Sequence, residues 1–409
     1  MKTSNIVPKL RFPEFKSHEI EFKNGNDLFE IWNERVQKNI SNLPVLAISQ
    51  QFGAIPREKI DYNVIVSNES LKNYKKVQIG DFIISLRSFQ GGIEYSAYNG
   101  ICSPAYIILR SKVQLCNFYY KFYFKTENYI KELTRNLEGI RDGKMISYGQ
   151  FSEVKLPYPT QQEQQKIADC LASLDELLDL EEKKLSALQK YKKGLLQKLF
   201  PQGESRVPEW RFPEFQNRGE WEEKLLNDCC KTYSGGTPST SNKEFYIGEI
   251  PFIRSAEINK SITELFISEN GLKNSSAKLV KKGDILIALY GANSGDIAIS
   301  KINGAINQAI LCVSHLTSNK FIYYCLLQLM PNVVTRCIQG GQGNLSGEII
   351  KFIKLLFPPL QEQQKIANFL SSVDELIEKQ EQKIKQYKQH KKGLLQGLFP
   401  NINGVGDVN

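Results

Sequence analysis

Residues 161–201 read QQEQQKIADCLASLDELLDLEEKKLSALQKYKKGLLQKLFP, and residues 361–400 read QEQQKIANFLSSVDELIEKQEQKIKQYKQHKKGLLQGLFP. In the first stretch Ile167, Leu171, Leu174, Leu178, Leu185, Leu188, Leu195 and Leu199 fall on alternating spacings of three and four, interrupted only by Glu181 and Lys192. In the second, Ile366, Leu370, Val373, Ile377, Ile384, Tyr387, Leu394 and Leu398 repeat the pattern, with Gln380 and Lys391 as the matching interruptions. This spacing is the seam of a coiled coil. Pro157 and Pro159, or Pro358 and Pro359, precede each stretch, and Pro201 or Pro400 stops it, so each is a single helix of roughly 57 Å at 1.5 Å per residue. A lone helix with one apolar stripe is not stable in water. The nearest complementary stripe is the duplicate; a partner subunit is the alternative. Two like units in tandem pair about a pseudo-twofold axis, which predicts antiparallel helices and places the globular regions at opposite ends of the pair.

The repeat extends outward from the helices. VPKLRFPEF (7–15) returns as VPEWRFPEF (207–215), and VQIGDFIISL (77–86) as VKKGDILIAL (280–289), each of the latter an apolar, strand-like run after a Gly-Asp turn. The chain is a tandem duplication with a period of about 200 residues, too long for a solenoid. The expected fold is α+β, with two pseudo-symmetric globular domains separated by an antiparallel two-helix coiled coil. The boundaries are 1–158 for the first domain, 159–201 for the first helix, 202–357 for the second domain, 358–401 for the second helix and 402–409 for a flexible tail. The aromatic stretch NFYYKFYFKTENYI (117–130) has the spacing of a buried amphipathic helix and belongs to the first core.

With 409 residues and 41% hydrophobic content, the chain can fill more than one core. No apolar run is long enough to span a bilayer, and MKTSNIVPKLRFPEF at the start lacks a signal peptide's apolar stretch; a cytoplasmic location is expected. The eight cysteines include no CxxC pair, and Cys229 and Cys230 are adjacent, so they are read as reduced, mostly buried thiols. Of the formal charge of +9, the long helices carry only +2, because 161–200 is neutral. The remaining +7 lies in the rest of the chain, as a polyanion-binding surface requires; on charge alone a soluble basic protein is the alternative.

The strand-like runs keep their place in the two globular regions while the loops carry unrelated polar residues: LPVLAISQQFGAIPRE (43–58) and SLRSFQGGIEYSAYNGICSPAYIIL (85–109) in the first, YSGGTPSTSNKEFYIGEIPFIRSAEIN (233–259) and ALYGANSGDIAISKINGAINQAI (288–310) in the second. One scaffold with two sets of loops suits two modules reading different targets. The order of variable region, QQEQQKIA helix ending KKGLLQKLFP, second variable region opened by SGGTPS and GEIPFIR, and QEQQKIA helix ending KKGLLQGLFP resembles the specificity subunit of type I restriction-modification enzymes over essentially the whole chain. The first half departs from the pattern by lacking GGTPS (235–239).

The resemblance implies that each globular domain is a target recognition domain reading one half of an asymmetric bipartite DNA site. It implies that the paired helices set the spacer and dock two methyltransferase subunits, with two restriction/translocase subunits in the full complex. No cofactor is expected in this chain; the partners are expected to use S-adenosylmethionine, ATP and Mg. A scaffold or adapter without its own sequence readout is the alternative. Catalytic residues are not found: the Pro-Pro of LFPP (356–359) lacks the amide or carboxylate of an amino-methyltransferase, the acids form no nuclease cluster, and His18, His315 and His390 share no metal-ligand or triad spacing. YSGGTPS and IQGGQGN (338–344) lack the Lys-Ser/Thr of a P-loop.

Base reading needs forked donors and acceptors on loops that enter the major groove. In the first domain the candidates are Ser49, Gln50, Gln51, Arg87, Ser88, Gln90, Arg141 and Lys144. In the second they are Ser234, Thr237, Ser239, Arg254, Tyr290, Asn293, Ser294, Gln308, Gln342 and Asn344. For any single Arg or Lys, phosphate anchoring stands beside base reading, because phosphate and sugar take most protein–DNA hydrogen bonds.

Overall fold

The computed structural model describes residues 7–36, 43–60, 71, 73–135, 146–315, 317–339 and 345–401. The two long helices span Gln161–Leu199 and Leu360–Leu398, 39 residues each. The chain divides into two compact units, but not at the linear boundaries of the repeat. The first unit comprises Met1–Glu182 with Gln382–Asn409, and the second is Lys183–Glu381. Each long helix therefore begins in one unit and ends in the other, and each unit is completed by the terminal half of the other repeat's helix.

In the first unit, strands Phe29–Trp32, Ile107–Ser111, Phe82–Ile84 and Glu94–Tyr95 form an antiparallel sheet in that order. Glu21–Asn24 pairs with Lys155–Tyr158, and Lys75–Val77 with Gly100–Cys102. Helices Asn117–Tyr123 and Glu127–Thr134 supply the aromatic core expected from 117–130. Phe29 meets Phe82 and Tyr120 edge-on, with centroids 5.5 and 5.3 Å apart, the favoured geometry for ring quadrupoles. Into this core the second long helix inserts its end: Leu398 and Phe399 are buried with Tyr119 and Tyr123, and the Phe399 ring lies 5.1 Å from that of Tyr119.

Burial pushes the hydroxyls of Tyr123 and Tyr129 upward in pKa. Neither has a hydrogen-bond partner among the described residues. A buried hydroxyl without a partner costs about 1–3 kcal/mol, so Tyr129→Phe should leave stability unchanged or raise it by about 1 kcal/mol in urea unfolding. A loss beyond about 1 kcal/mol would show that the hydroxyl is bonded in solution.

The second unit has two four-stranded sheets. One runs Lys231–Ser234, Ile310–Ser314, Ile285–Ala288, Ile297–Ile299 and is antiparallel throughout. The other runs Leu265–Ile267, Ile250–Ile253, Gly304–Ile306, Lys278–Val280, with a parallel pair at its centre. Leu196, Leu199 and Phe200, from the end of the first long helix, share its core with Phe321, Ile366 and Leu370.

The duplicated Gly-Asp runs fold alike. Gly80 and Gly283 both take φ of +98°, open to glycine at little cost. Asp81 accepts from the Gln78 N–H at 2.7 Å and Asp284 from the Lys281 N–H at 2.8 Å, after which strands Phe82–Ile84 and Ile285–Ala288 run buried.

The repeated RFPEF and QEQQ segments hold each other. Arg11 donates through Nε and Nη2 to both oxygens of Glu163 at 2.7 and 2.8 Å, and Arg211 does the same to Glu362 at 2.7 Å twice. All four side chains are nearly inaccessible. The next glutamines, Gln164 and Gln363, donate to the carbonyls of Pro159 and Pro358 at 2.9 and 2.8 Å, tying down the helix starts. The same N-terminal segments grip the ends of the exchanged helices: Leu10 N–H donates to the Gly397 carbonyl, and Trp210 N–H to that of Lys198, both at 2.9 Å. Each RFPEF segment is thus a staple across the start of one long helix and the end of the other.

Within each unit the helices run antiparallel. In the first, Lys391 pairs with Asp175 and Lys383 with Glu181, so later residues of one helix meet earlier residues of the other. In the second, Lys192 pairs with Asp374 at 2.6 Å while Leu199 clusters with Ile366. Three of the four seam interruptions, Glu181, Lys192 and Lys391, are therefore ends of cross-helix ion pairs. Gln380, the fourth, is buried. Leu171, Ile167, Ile366, Leu370, Val373 and Ile384 are buried along the stripe, and Leu174, Leu185, Leu188, Ile377, Tyr387 and Leu394 are half-buried. Among the described residues no helix is long and apolar enough to cross a membrane, and the eight cysteines are free thiols, five of them buried.

Candidate nucleic-acid interface

In the first unit two loops meet to form a polar tip. Strands Leu46–Ser49 and Gly53–Pro56 make a hairpin whose turn is closed by Ser49, its Oγ accepting the N–H groups of Gln51 and Phe52, both at 3.3 Å. Gln50 reaches across to the loop after strand Phe82–Ile84 and donates through Nε2 to the Arg87 carbonyl at 3.3 Å. That bond engages the amide nitrogen and leaves the oxygen of this exposed side chain as an acceptor. Gln50, Gln51, Arg87 and Gln90 are thereby gathered on one surface, all with exposed side chains. Ser88 is not on that surface: it is 1% exposed, and its hydroxyl accepts the Ser85 N–H at 2.8 Å, holding the loop from within. Arg141 and Lys144 lie outside the described residues.

Under this loop the buried Glu94 pairs with the half-buried Lys125 at 2.5 Å, and Lys125 also donates to the Gly91 carbonyl at 2.9 Å. Burial raises the Glu94 carboxyl in pKa despite the nearby ammonium. The pair anchors the back of the 85–92 loop, so the residues on its front face do not carry its folding.

The second unit builds its tip at the end of the parallel strands Ile250–Ile253 and Gly304–Ile306. Thr237 Oγ1 donates to Gln308 Oε1 at 2.7 Å, which engages the amide oxygen and leaves the nitrogen as a donor. Leu289 N–H donates to the Ala309 carbonyl at 2.8 Å, bringing Tyr290 beside Gln308. Tyr290 is 41% exposed, an aromatic ring on a polar tip. Asn293 and Ser294 are consumed locally: the Asn293 amide donates to Asp296 at 3.2 Å and the Ser294 hydroxyl to the Leu289 carbonyl at 3.0 Å, which shapes the loop holding Tyr290. Arg254 starts the adjoining connection and is gripped by Glu257, at 3.0 and 3.2 Å, and by Glu264. These bonds hold its guanidinium pKa above the ordinary value and neutralise its charge, making it a clamp on the connection 254–264. Ser239 bonds Ser241 at 2.8 Å on the surface, and Ser234 is half-buried in its strand. Gln342 and Asn344 lie outside the described residues.

Asn259, absent from the sequence-based candidates, lines a cleft of about 500 Å³ with Asn293, Ser294, Asp296 and Met330. It lies in the quoted 233–259 stretch, but only the tertiary meeting of two loops reveals its place. The histidines are apart from both tips: His315 Nδ1 accepts the Thr317 and Ser318 N–H groups at 3.2 and 3.1 Å, the His18 carbonyl receives Arg11, and His390 lies on the outer side of the second long helix.

Both units thus present polar groups from two packed loops on one scaffold, with unlike residues at the tips. A family described as the type I restriction modification DNA specificity domain matches the chain twice, over residues 18–190 and 218–388. The chain belongs to this specificity family. It is 25% identical over 351 residues to the type I restriction enzyme MjaVIII specificity subunit of Methanocaldococcus jannaschii, covering 81% of each chain. To the EcoR124I/EcoR124II specificity subunit of Escherichia coli it is 27% identical over 169 residues, 39% of this chain and 42% of that one. Its fold is similar to that of the type I restriction-modification S subunit from M. genitalium, with a TM-score of 0.58 at 17% identity over 97% of this chain and all of that one. A chain from a structure concerned with complex assembly and conformational transition of the type I R-M system aligns with a TM-score of 0.59 at 16% identity, over 95% and 98%. The specificity subunit is the non-catalytic, DNA sequence-recognising component of its system, and its two globular regions are target recognition domains.

Proposed function

We propose that each recognition domain reads one half of an asymmetric bipartite site, the first through Gln50, Gln51, Arg87 and Gln90, the second through Thr237, Gln308 and Tyr290. The paired helices set the spacer and dock two methyltransferase subunits, with two restriction/translocase subunits joining the full complex; those partners use S-adenosylmethionine, ATP and Mg. The observation that carries this reading is the pairing of one duplicated scaffold with two rigid tips that differ. In the first, the Arg87 carbonyl engages an amide nitrogen and leaves the oxygen to accept; in the second, Thr237 engages an amide oxygen and leaves the nitrogen to donate. The two tips thus offer opposite complements to a base edge.

Mapping methylated adenines in the host genome by single-molecule sequencing identifies the site. Exchanging residues 1–158 for those of a relative should then change one half of it and preserve the other half and the spacer; a swap that alters both halves defeats independent reading. Arg87→Ala should relax one position of the half-site at a cost of about 1–3 kcal/mol. Uniform weakening over all sequences, with a shallower salt dependence, would assign Arg87 to phosphate. Native mass spectrometry of the saturated assembly should give two methyltransferase subunits per specificity subunit, and a one-to-one complex would refute that stoichiometry.

A further inference from the structure

The tip of the first domain carries one side chain that polar readout leaves unexplained. Phe52, at the turn of the hairpin, is 56% exposed, and Leu86 on the facing loop is 50% exposed. The hairpin limb beneath Phe52 is fixed: Gly53 sits at φ +71° with its backbone against the Tyr95 carbonyl, where a Cβ would approach to 2.6 Å, and Ala54 bridges to Ser96. The Phe52 N–H is itself tied to Ser49 Oγ. An aromatic ring is thus held outward on a rigid support, among Gln50, Gln51 and Arg87.

The second domain places an apolar residue at the matching point. Val45, which leads into strand Leu46–Ser49, bridges in parallel to Ile101 as Ile250–Ile253 pairs in parallel with Gly304–Ile306, so the turn 50–52 corresponds to the connection 254–264. Ile262 on that connection is 75% exposed.

The major-groove edge of DNA offers a single apolar feature, the C5-methyl of thymine. We propose that Phe52 reads a thymine methyl, so that the half-site of the first domain contains an A·T pair facing the hairpin turn, beside the base taken by the Gln50–Arg87 group. The inference rests on the reading that the first domain takes its own half-site and names one base class within it.

The test uses the assembled complex purified from the host through the tagged full-length chain. The probe is a duplex carrying the mapped genomic site, with each thymine of the first half-site replaced in turn by deoxyuridine. At one position, removing the methyl should weaken binding by about three- to ten-fold, the size of one buried methyl group. Phe52→Ala should weaken binding to the thymine duplex by a similar factor and bind both duplexes alike, while Phe52→Leu restores part of the discrimination. Because the side chain is exposed, neither variant should unfold the domain, which circular dichroism checks. Undiminished discrimination by Phe52→Ala, or a half-site without thymine, overturns the proposal. So does 2-aminopurine in the site brightening with the wild type but not with Phe52→Ala, since that would make Phe52 a wedge between bases. If the 1–158 exchange moves the half-site while Phe52→Ala behaves as wild type, only this inference falls. If the exchange leaves the half-site unmoved, the domain reading itself fails.

Discussion

Arg211→Met should destabilise the second unit by about 3–5 kcal/mol, because it leaves the Glu362 carboxylate buried and unpaired. Glu362 is 0% exposed and takes two charge-assisted bonds of 2.7 Å from one guanidinium. The same guanidinium supplies Nη1 to the carbonyls of Arg218 and Gly219 at 2.7 and 2.9 Å, which lose their donor too. The pair need not be strongly favourable in itself, since desolvating two ions offsets much of their attraction. Arg211→Met with Glu362→Leu should therefore recover most of the loss. Urea unfolding followed by tryptophan fluorescence suits the measurement: Trp210 and Trp221 lie in the second unit and Trp32 in the first. A single mutant within about 1 kcal/mol of wild type, or a double mutant no better than the single, would show that the clamp is solvated.

The second large effect crosses the linear map of the chain. Leu398→Ala with Phe399→Ala, at the very end of the second repeat, should loosen the first recognition domain and spare the second. Both side chains belong to the first unit's core, against Tyr119 and Tyr123. Truncations of buried Leu and Phe cost about 2–5 and 3–5 kcal/mol; being neighbours they will not add fully. Even so, the loss is comparable to the 5–15 kcal/mol that holds a typical domain. Hydrogen exchange should show lost protection over 107–134 and unchanged protection over 285–314. Loss centred on 285–314 would refute the exchange of helix ends.

The duplication and the seam are legible because each is a periodic signal carried by neighbours in sequence; the burial of the aromatic stretch 117–130 is legible too, but its single expected helix is two, Asn117–Tyr123 and Glu127–Thr134, broken where Thr126 caps the second. What the seam residues touch is less legible. Lys192 and Lys391 break the apolar period, yet each meets an aspartate of the facing helix, Asp374 or Asp175, that adjoins a seam residue, Val373 or Leu174. The domain boundaries followed the order of the chain, whereas the compact units follow the swapped helix halves. A repeat does not disclose which copy of a helix completes which core.

At the tips, residue type alone picked out exposed Gln50 and Arg87 and equally picked out Ser88 and Arg254, whose polar atoms are spent inside their own loops. Gln50 and Arg87 meet across 37 positions, a closeness that only the strand pairing creates. Residue type does not single out Phe52, because an exposed aromatic cannot be told in sequence from a buried one.

The exchanged helix ends also govern how the protein is made. The first recognition domain needs Phe399, about 230 residues beyond Leu171 in the same core. At about 5–20 residues per second, the nascent chain spends on the order of 10–50 s with that apolar face uncovered on the ribosome. The second domain, whose contributing residues all lie within 183–381, can finish first. The order of completion is thus the reverse of the order of synthesis, and the first domain is the one whose apolar core stays open until the last residues are made.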